Sequence, residues 1–248
     1  MANTDLSRQA TAIGEAEVRE LVATAGRVLH QQGLADYLGH TSARSPEPDR
    51  LVVKPKHSPR IRGMHSLVGD QMVVVDPDGR FVDGDDPPPA EVFIHTEIYR
   101  ARPDAMAVVH THQPAATLMG VLGAPIRPVL HVQSTFIHSP VPIWDCPLLV
   151  TSAEMGSDLA SALGGQSFCH LQGHGIVSVA ESVQAAVVGA VMLEQLAAAN
   201  LTILQTGKEP RDITAEEIAQ LTLDKAPVAG RWAYLTQLLE TGAGDARV

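Results

Sequence analysis

The sequence contains few aromatic residues, which make up 4% of its 248 positions. A chain of this length with 45% hydrophobic residues can still bury a large core, so we expect that core to be aliphatic and rich in alanine. No run of about 18 apolar residues is present, and no transmembrane helix is therefore expected. Residues 1–12 are polar and lack the apolar centre of a secretory signal peptide.

Cysteine and positive charge are also scarce. Cys146 and Cys169 do not make a disulfide framework, so reduced thiols in the cytoplasm are the default expectation. Eighteen Lys and Arg residues stand against 28 Asp and Glu residues, which gives a formal net charge of −10 at pH 7. This balance argues against nucleic acid and anionic membranes as partners.

Histidine, by contrast, is well represented, and three of the eleven histidines form a suggestive pattern. His110 and His112 end a strand-like run, and side chains two positions apart on an extended segment point to the same face. His174 lies between two glycines after a second strand-like run. A lone histidine is usually a satisfied polar group, but these three could hold one metal ion and leave a coordination position open, as catalytic sites do.

Apolar spacing and turn residues predict a mixed α/β chain with no repeat and no linker, and with flexible ends at 1–12 and 241–248. Helices are predicted over residues 13–33, 90–102, 153–163, 181–206 and 227–240, with a further helix after Pro114. Strands are predicted over residues 51–53, 72–75, 80–82, 105–110, 167–171 and 176–179. The 181–206 helix is apolar almost all round, which places it inside the domain or in a subunit contact.

Two polar residues mark the start of the 90–102 helix. Glu91 follows three prolines, and a carboxylate in a first helical turn is stabilised by the helix dipole and the free N–H groups. His95 lies four residues later on the same face. For His95 we favour a supporting or packing role over a role as a metal ligand.

Taken in order, several segments resemble the class II aldolase/adducin superfamily from about residue 15 to residue 205. They are Gly39-His40-Thr41-Ser42, Pro89-Ala90-Glu91, His95, Arg102-Pro103-Asp104-Ala105, Val108-Val109-His110-Thr111-His112 and Leu171-Gln172-Gly173-His174-Gly175. The first is similar to a Gly-Asn turn of that family. The resemblance implies one three-layer α/β/α domain over residues 13–240, with a central, mostly antiparallel sheet. It also implies a homo-oligomer, most commonly a tetramer with its site at a subunit interface.

The same resemblance implies the chemistry of the site. One divalent ion (zinc, manganese, iron or cobalt) is expected on His110, His112 and His174, with an acid/base at Glu91. Sugar-phosphate aldolases of the family hold phosphate with small hydroxyl and glycine residues, which this chain lacks. In their place stands a basic loop with Lys54, Lys56, Arg60 and Arg62. Either this loop is a solvated surface or, with His40, it forms a carboxylate pocket.

A branch of the superfamily decarboxylates hydroxylated aromatic dicarboxylates such as 3,4-dihydroxyphthalate. The Lys54–Pro59 stretch and the segment ending at His131 resemble that branch. The resemblance therefore implies a metal-dependent decarboxylase of such a small aromatic acid, acting in aromatic catabolism. Candidates for delivering the proton to the ring are Glu91, His131 and Tyr37, in that order. The alternatives are a sugar-phosphate aldolase or epimerase and, less favoured, a non-catalytic adducin-like scaffold.

Overall fold

The fold is known from a computed structural model, which describes residues 13–137, 140–223 and 228–242. Within these ranges the helices are α1 Glu15–Gln31, α2 Val92–Ala101, α3 Pro114–Leu122, α4 Ala153–Leu163, α5 Val183–Thr206, α6 Ala215–Leu223 and α7 Val228–Thr241. The strands are β1 His40–Arg44, β2 Leu51–Val53, β3 Val73–Val75, β4 Phe81–Asp83, β5 Ala107–Thr111, β6 Ile143–Trp144, β7 Phe168–Leu171 and β8 Gly175–Ala180. The predicted flexible segment 1–12 and residues 243–248 of the predicted flexible C-terminus lie outside the described residues.

The eight strands form one sheet in the order β4-β3-β2-β1-β5-β8-β7-β6. Every neighbouring pair is antiparallel except β6 and β7, which run parallel. The register places His40 of β1 opposite His110 of β5, and Thr111 of β5 opposite Ile176 of β8. The sheet centre therefore brings together segments that lie far apart in the sequence.

Alternating apolar side chains on the central strands form two separate cores, one on each face of the sheet. Val52 and Val109 point to the face covered by α1, α3, α5 and α7. Their neighbours Val53 and Val108 point to the opposite face, which α2 and α4 cover. This arrangement confirms the expected three-layer α/β/α architecture around a mostly antiparallel sheet.

Helix α5 is the central element of the first core. By length and composition it could cross a membrane, but Val187, Leu193 and Leu196 are fully buried against the sheet and α1. Ser182 caps its first turn by accepting a hydrogen bond from the Ala185 N–H, and Gly207 ends it in the left-handed region. Of the two locations that the sequence left open for this helix, the structure shows burial inside the domain.

Strand β1 and helix α6 differ from the sequence-based expectation. The expected turn at Gly39-His40 is the start of β1, a buried strand whose polar side chains obscure its apolar pattern. Thr41 Oγ1, for example, donates to the Val22 carbonyl and so is satisfied inside the core. Helix α6 was not predicted, although Thr214 and Glu217 exchange the reciprocal hydrogen bonds of a capping box at its start.

Candidate active site

The three predicted ligand histidines converge at one edge of the sheet. His110 lies near the end of β5, His112 directly follows that strand, and His174 occupies the turn between β7 and β8. The Nε2 atoms of His110 and His112 are 3.1 Å apart, and the His174 ring centroid lies 4.9 and 5.0 Å from those two rings. Their ligand atoms, one per residue, all lie within 4.8 Å of one another. The sheet thus brings together side chains separated by 62 positions in the sequence.

Backbone contacts fix this arrangement. His110 Nδ1 lies 2.9 Å from the Ile176 carbonyl, an acceptor, so Nδ1 carries the proton and the Nε2 lone pair faces the cluster. Gly175 is needed for the close approach of two strands, because a Cβ there would lie 2.3 Å from the Thr111 carbonyl oxygen. The absence of a side chain at Gly175 therefore allows the turn that carries His174 to pack directly on β5.

The cluster fits a divalent metal ion on three grounds. Both ring nitrogens of His174 are buried without a hydrogen-bond partner, a costly state unless something binds them. The 3.1 Å between His110 and His112 is close to the ~3.3 Å expected for two nitrogens on one tetrahedral zinc-like ion. Burial lowers the pKa of His110 and of His112, which favours the neutral imidazoles that bind metals.

Glu91 lies beside the histidines, but its carboxylate is not held by the first turn of a helix, as the sequence had suggested. It is the residue before α2 and makes no side-chain cap for that helix. Its Oε1 accepts a hydrogen bond from the Val150 N–H at 3.0 Å. Its Oε2 lies 3.7 Å from His174 Nε2, 3.7 Å from His40 Nε2 and 4.0 Å from His110 Nε2. Val150 therefore anchors one carboxylate oxygen while the other faces the metal cluster.

A buried chain of hydrogen bonds leads away from the site. His40 Nδ1 lies 2.7 Å from His95 Nε2, and His95 Nδ1 lies 2.6 Å from Ser42 Oγ. Ser42 Oγ in turn lies 2.9 Å from the hydroxyl of Tyr99, and all four residues are buried. Burial lowers the pKa of both histidines well below the usual value, so both are neutral at pH 7. His95 thus has the supporting position that we expected, one residue removed from the cluster.

A cavity of about 310 Å³ opens beside the cluster, and we call it the site cavity. The residues that line it include Tyr37, His40, Lys54, Lys56, Glu91 and His112. Lys54 is its buried cation: the residue is 3% exposed, and its Nζ donates to the Tyr37 carbonyl at 3.3 Å. Burial lowers the pKa of Lys54 to about 8. Lys56, also in the lining, is exposed, and its N–H bonds to the Pro87 carbonyl.

Three other predicted residues do not line the site cavity in the described part of the chain. Arg60 is exposed and donates to Asp85 at 2.8 Å, because the acidic loop after β4 competes for it. Arg62 is exposed on the same loop, and His131 is exposed in the turn after α3. In one subunit, the lining of the site cavity therefore includes Lys54 and Lys56 of the basic loop but not Arg60, Arg62 or His131.

The cavity also contains residues that the sequence reasoning missed. Leu149 lines it, although it lies in an irregular segment between β6 and α4 that carries no recognisable motif. His57 also lines the cavity, although the sequence reasoning assigned it no role beyond its place in the basic loop. Its ring and that of Tyr37 meet edge to face at a centroid distance of 5.1 Å. Only the tertiary structure brings these residues to one cavity.

Comparison with known proteins shows which family the chain resembles. The chain matches the family model of the class II aldolase and adducin N-terminal domain over residues 20–201. A 3,4-dihydroxyphthalate decarboxylase from Arthrobacter keyseri is 33% identical over 216 residues, covering 83% of this chain and 86% of the relative. A 5-methylthioribulose-1-phosphate/5-deoxyribulose-1-phosphate aldolase from Rhodospirillum rubrum is 31% identical over 166 residues, covering 67% and 73%.

A solved structure shows the same fold over almost the whole chain. An aldolase II superfamily protein from Pseudomonas syringae superposes with a TM-score of 0.80 at 25% identity, covering 97% of this chain and 99% of that one. The fold and the histidine cluster define a metal-dependent carbon–carbon lyase. The chain belongs to the class II aldolase/adducin family, and its relatives include decarboxylases as well as aldolases.

Proposed function

We propose that the protein is a metal-dependent decarboxylase of a hydroxylated aromatic dicarboxylate, with 3,4-dihydroxyphthalate as the first candidate substrate. This would make it a 3,4-dihydroxyphthalate decarboxylase acting in aromatic catabolism. The relatives at 33% identity support the decarboxylase branch. The proposal rests on the site cavity itself, because a substrate has to be recognised by the groups that line it.

Lys54 is the observation that carries the choice of substrate. Its ammonium group lies in a buried position next to the histidine cluster, where it donates to a neutral carbonyl, that of Tyr37. The carboxylate of Asp36 also attracts it, but this attraction raises the pKa of Lys54 by less than burial lowers it. A buried cation needs a negative partner to offset its loss of hydration, and Asp36 offsets only part of that loss for Lys54. A second carboxylate on the substrate would supply that partner, and Lys54 would hold it away from the metal.

The remaining groups of the site would have separate roles in the reaction. A divalent ion held by His110, His112 and His174 would act as a Lewis acid for the charge left when the carbon–carbon bond breaks. His40 would bind an anionic oxygen of the substrate. Glu91 Oε2 faces the cluster and is the first candidate to hold the proton that reaches the ring carbon.

Tyr37 is the second candidate for the proton-donating group, since it lines the site cavity. The carboxylate of Glu91 is the better placed of the two because Val150 fixes its orientation. A Glu91→Gln substitution should abolish turnover and leave metal content unchanged. A Tyr37→Phe substitution should retain most of the activity.

The rival function is that of a sugar-phosphate aldolase or epimerase, which the aldolase relative represents. Both reactions break a bond to carbon and need the same electron sink. They differ in what the cavity must hold, a carboxylated ring or a phosphate. The Lys54 and His40 positions differ from the hydroxyl and glycine residues expected of a phosphate cradle, and an adducin-like scaffold would have no need of the converging histidines.

One comparison of substrates tests the proposal. The metal-loaded protein is incubated with 3,4-dihydroxyphthalate and, separately, with 5-methylthioribulose 1-phosphate, and turnover is followed by ultraviolet absorbance and by released carbon dioxide. We expect release of one carbon dioxide per diacid and no cleavage of the sugar phosphate. Cleavage of the sugar phosphate without any turnover of hydroxylated diacids would establish the aldolase instead.

We further propose a homotetramer located in the cytoplasm. Leu118, Val121 and Leu122 form an exposed apolar face on α3. A Cβ added at Gly173 would lie 4.0 Å from Val121 Cγ2, so this face lies beside the turn that carries His174. A face of this kind is suited to a subunit contact. Both Cys146 and Cys169 are free, which is compatible with a reducing compartment.

A further inference from the structure

The position of His40 allows two incompatible roles. Its Nε2 lies 3.7 Å from Glu91 Oε2, and His40, Glu91 and His110 together form a second group that could hold a metal ion. As a metal ligand, His40 would present an Nε2 lone pair. As a substrate-binding group, it would present an Nε2–H. A neutral imidazole carries one proton, so the two roles require opposite tautomers.

The hydrogen-bond chain behind His40 decides between these tautomers. Ser42 must donate one of its two hydrogen bonds and accept the other, because its own buried proton would otherwise have no acceptor among the groups that the structure describes around it. The hydrogen-bond chain then has only two possible directions. In the first, Tyr99 donates to Ser42, Ser42 donates to His95 Nδ1, and His95 Nε2–H donates to His40 Nδ1. This direction leaves the proton of His40 on Nε2. In the second, every bond is reversed and His40 Nε2 is bare.

The Tyr99 end of the hydrogen-bond chain favours the first direction. In the described part of the chain, Ser42 is the side chain to which the Tyr99 hydroxyl is hydrogen-bonded, and the guanidinium of Arg44 lies over the Tyr99 ring at 4.8 Å. In the reversed direction, the phenol proton would need another acceptor in this buried position. If Tyr99 donates to Ser42, that proton is satisfied.

The His40 end of the hydrogen-bond chain favours the same direction. Glu91 Oε2 is an acceptor, and His110 Nε2 is a lone pair because His110 Nδ1 donates to the Ile176 carbonyl. A bare His40 Nε2 would add one more acceptor to this group. A proton on His40 Nε2 instead faces the carboxylate of Glu91 at 3.7 Å. Both ends of the hydrogen-bond chain thus favour the same tautomer, with the proton of His40 on Nε2.

We propose that Tyr99, Ser42 and His95 are positioning residues that fix His40 as an Nε2–H donor into the site cavity. His40 then binds an anionic oxygen of the substrate and is not a ligand of the metal. The metal site is accordingly limited to His110, His112 and His174. The part concerning substrate rests on the proposed function, whereas the tautomer and the ligand set do not.

The first experiment determines the tautomer directly. Neutron diffraction from deuterium-exchanged crystals of the zinc-loaded protein locates the deuterium on the imidazole rings of His40 and His95. We expect deuterium on Nε2 of both His40 and His95, and no zinc within bonding distance of His40. Deuterium on His40 Nδ1, or zinc bound to His40, would overturn the inference. This result is decisive even for a protein that turns over no diacid.

Zinc affinity supplies a second test that does not depend on activity. In His40→Gln the zinc dissociation constant should stay within about 3-fold of wild type, whereas His112→Ala should raise it by at least 100-fold. An increase of 100-fold in His40→Gln would show that His40 is a ligand.

Kinetics test the positioning role. Ser42→Ala interrupts the chain and should raise KM for the diacid about 10-fold with kcat changed less than 3-fold, because substrate binding loses an oriented donor. Ser42→Thr keeps the hydroxyl and should restore a near wild-type KM. The matched control is Ser178→Ala. It removes an equally buried serine hydroxyl, which donates to the Ala186 carbonyl and takes no part in the hydrogen-bond chain to His40. Equal KM changes in Ser42→Ala and Ser178→Ala, or no change in either, would refute the positioning role.

Discussion

Replacing Lys54 by Met should make the protein more stable and, at the same time, a poorer enzyme. The side chain is 3% exposed at the residue level, and burial lowers its pKa from 10.5 to about 8. At 1.36 kcal/mol per unit, this lowering corresponds to about 3 kcal/mol of destabilisation while the amine is charged. Met has a similar length and no charge, so Lys54→Met should recover much of that free energy.

The effect on stability has a defined pH dependence. The pKa of Lys54 is lower in the folded state than in the unfolded state, so the unfolded chain binds more protons between about pH 8 and pH 10.5. Wild-type stability should therefore rise with pH across that window, while the full cost is present below pH 8. The advantage of Lys54→Met in urea unfolding should be largest near pH 7 and shrink towards pH 10.5.

The effect on catalysis runs the other way. A hydrogen bond to a charged group contributes roughly 1.5–3 kcal/mol, so kcat/KM for the diacid should fall about 10- to 150-fold in Lys54→Met. In the wild type, KM should rise as the pH passes through about 8, because the ammonium is lost. In Lys54→Met this rise should be absent.

Lys208→Met is the control for these measurements, since Lys208 is exposed in the loop between α5 and α6. It should change neither stability nor kcat/KM by a measurable amount. A Lys54→Met variant with wild-type kcat/KM would show that Lys54 does not bind the substrate. A variant that is less stable than wild type at pH 7 would refute the account of a costly buried charge.

Four further outcomes are expected. His112→Ala should lose bound metal, measured by plasma mass spectrometry, and all activity; a metal-free protein with full activity would refute the site. Alanine at Arg60 or Arg62 should change kcat/KM less than 2-fold, since both are exposed in the structure, and a loss above 10-fold would place them at the site after all. Light scattering should show a tetramer that Leu118→Asp dissociates, and a monomeric wild type would contradict this. Gly175→Ala should lower the free energy of unfolding by about 2 kcal/mol or more in urea titration, because its Cβ would lie 2.3 Å from the Thr111 carbonyl oxygen; unchanged stability would contradict the close strand contact.

Several parts of this site could be read from the sequence because they depend on local periodicity. The spacing of His110 and His112 on a strand places both rings on one face whatever the rest of the chain does. Pro114 predicted the start of α3 by its local backbone preference, and the apolar spacing of α5 required burial. The order of motifs from Glu91 to His174 was enough to predict the family and its three-layer fold, which the comparisons confirm.

Other parts were decided only by the tertiary structure, because they depend on contacts between distant segments. Arg60 and Lys54 lie on one basic loop and are chemically alike in the sequence. Lys54 is buried because its backbone pairs with β1, whereas Asp85 holds Arg60 at the surface. In the same way, nothing local links Ser42 to Tyr99. They meet because β1 packs against α2, and that contact sets the direction of the hydrogen bonds that end at His40.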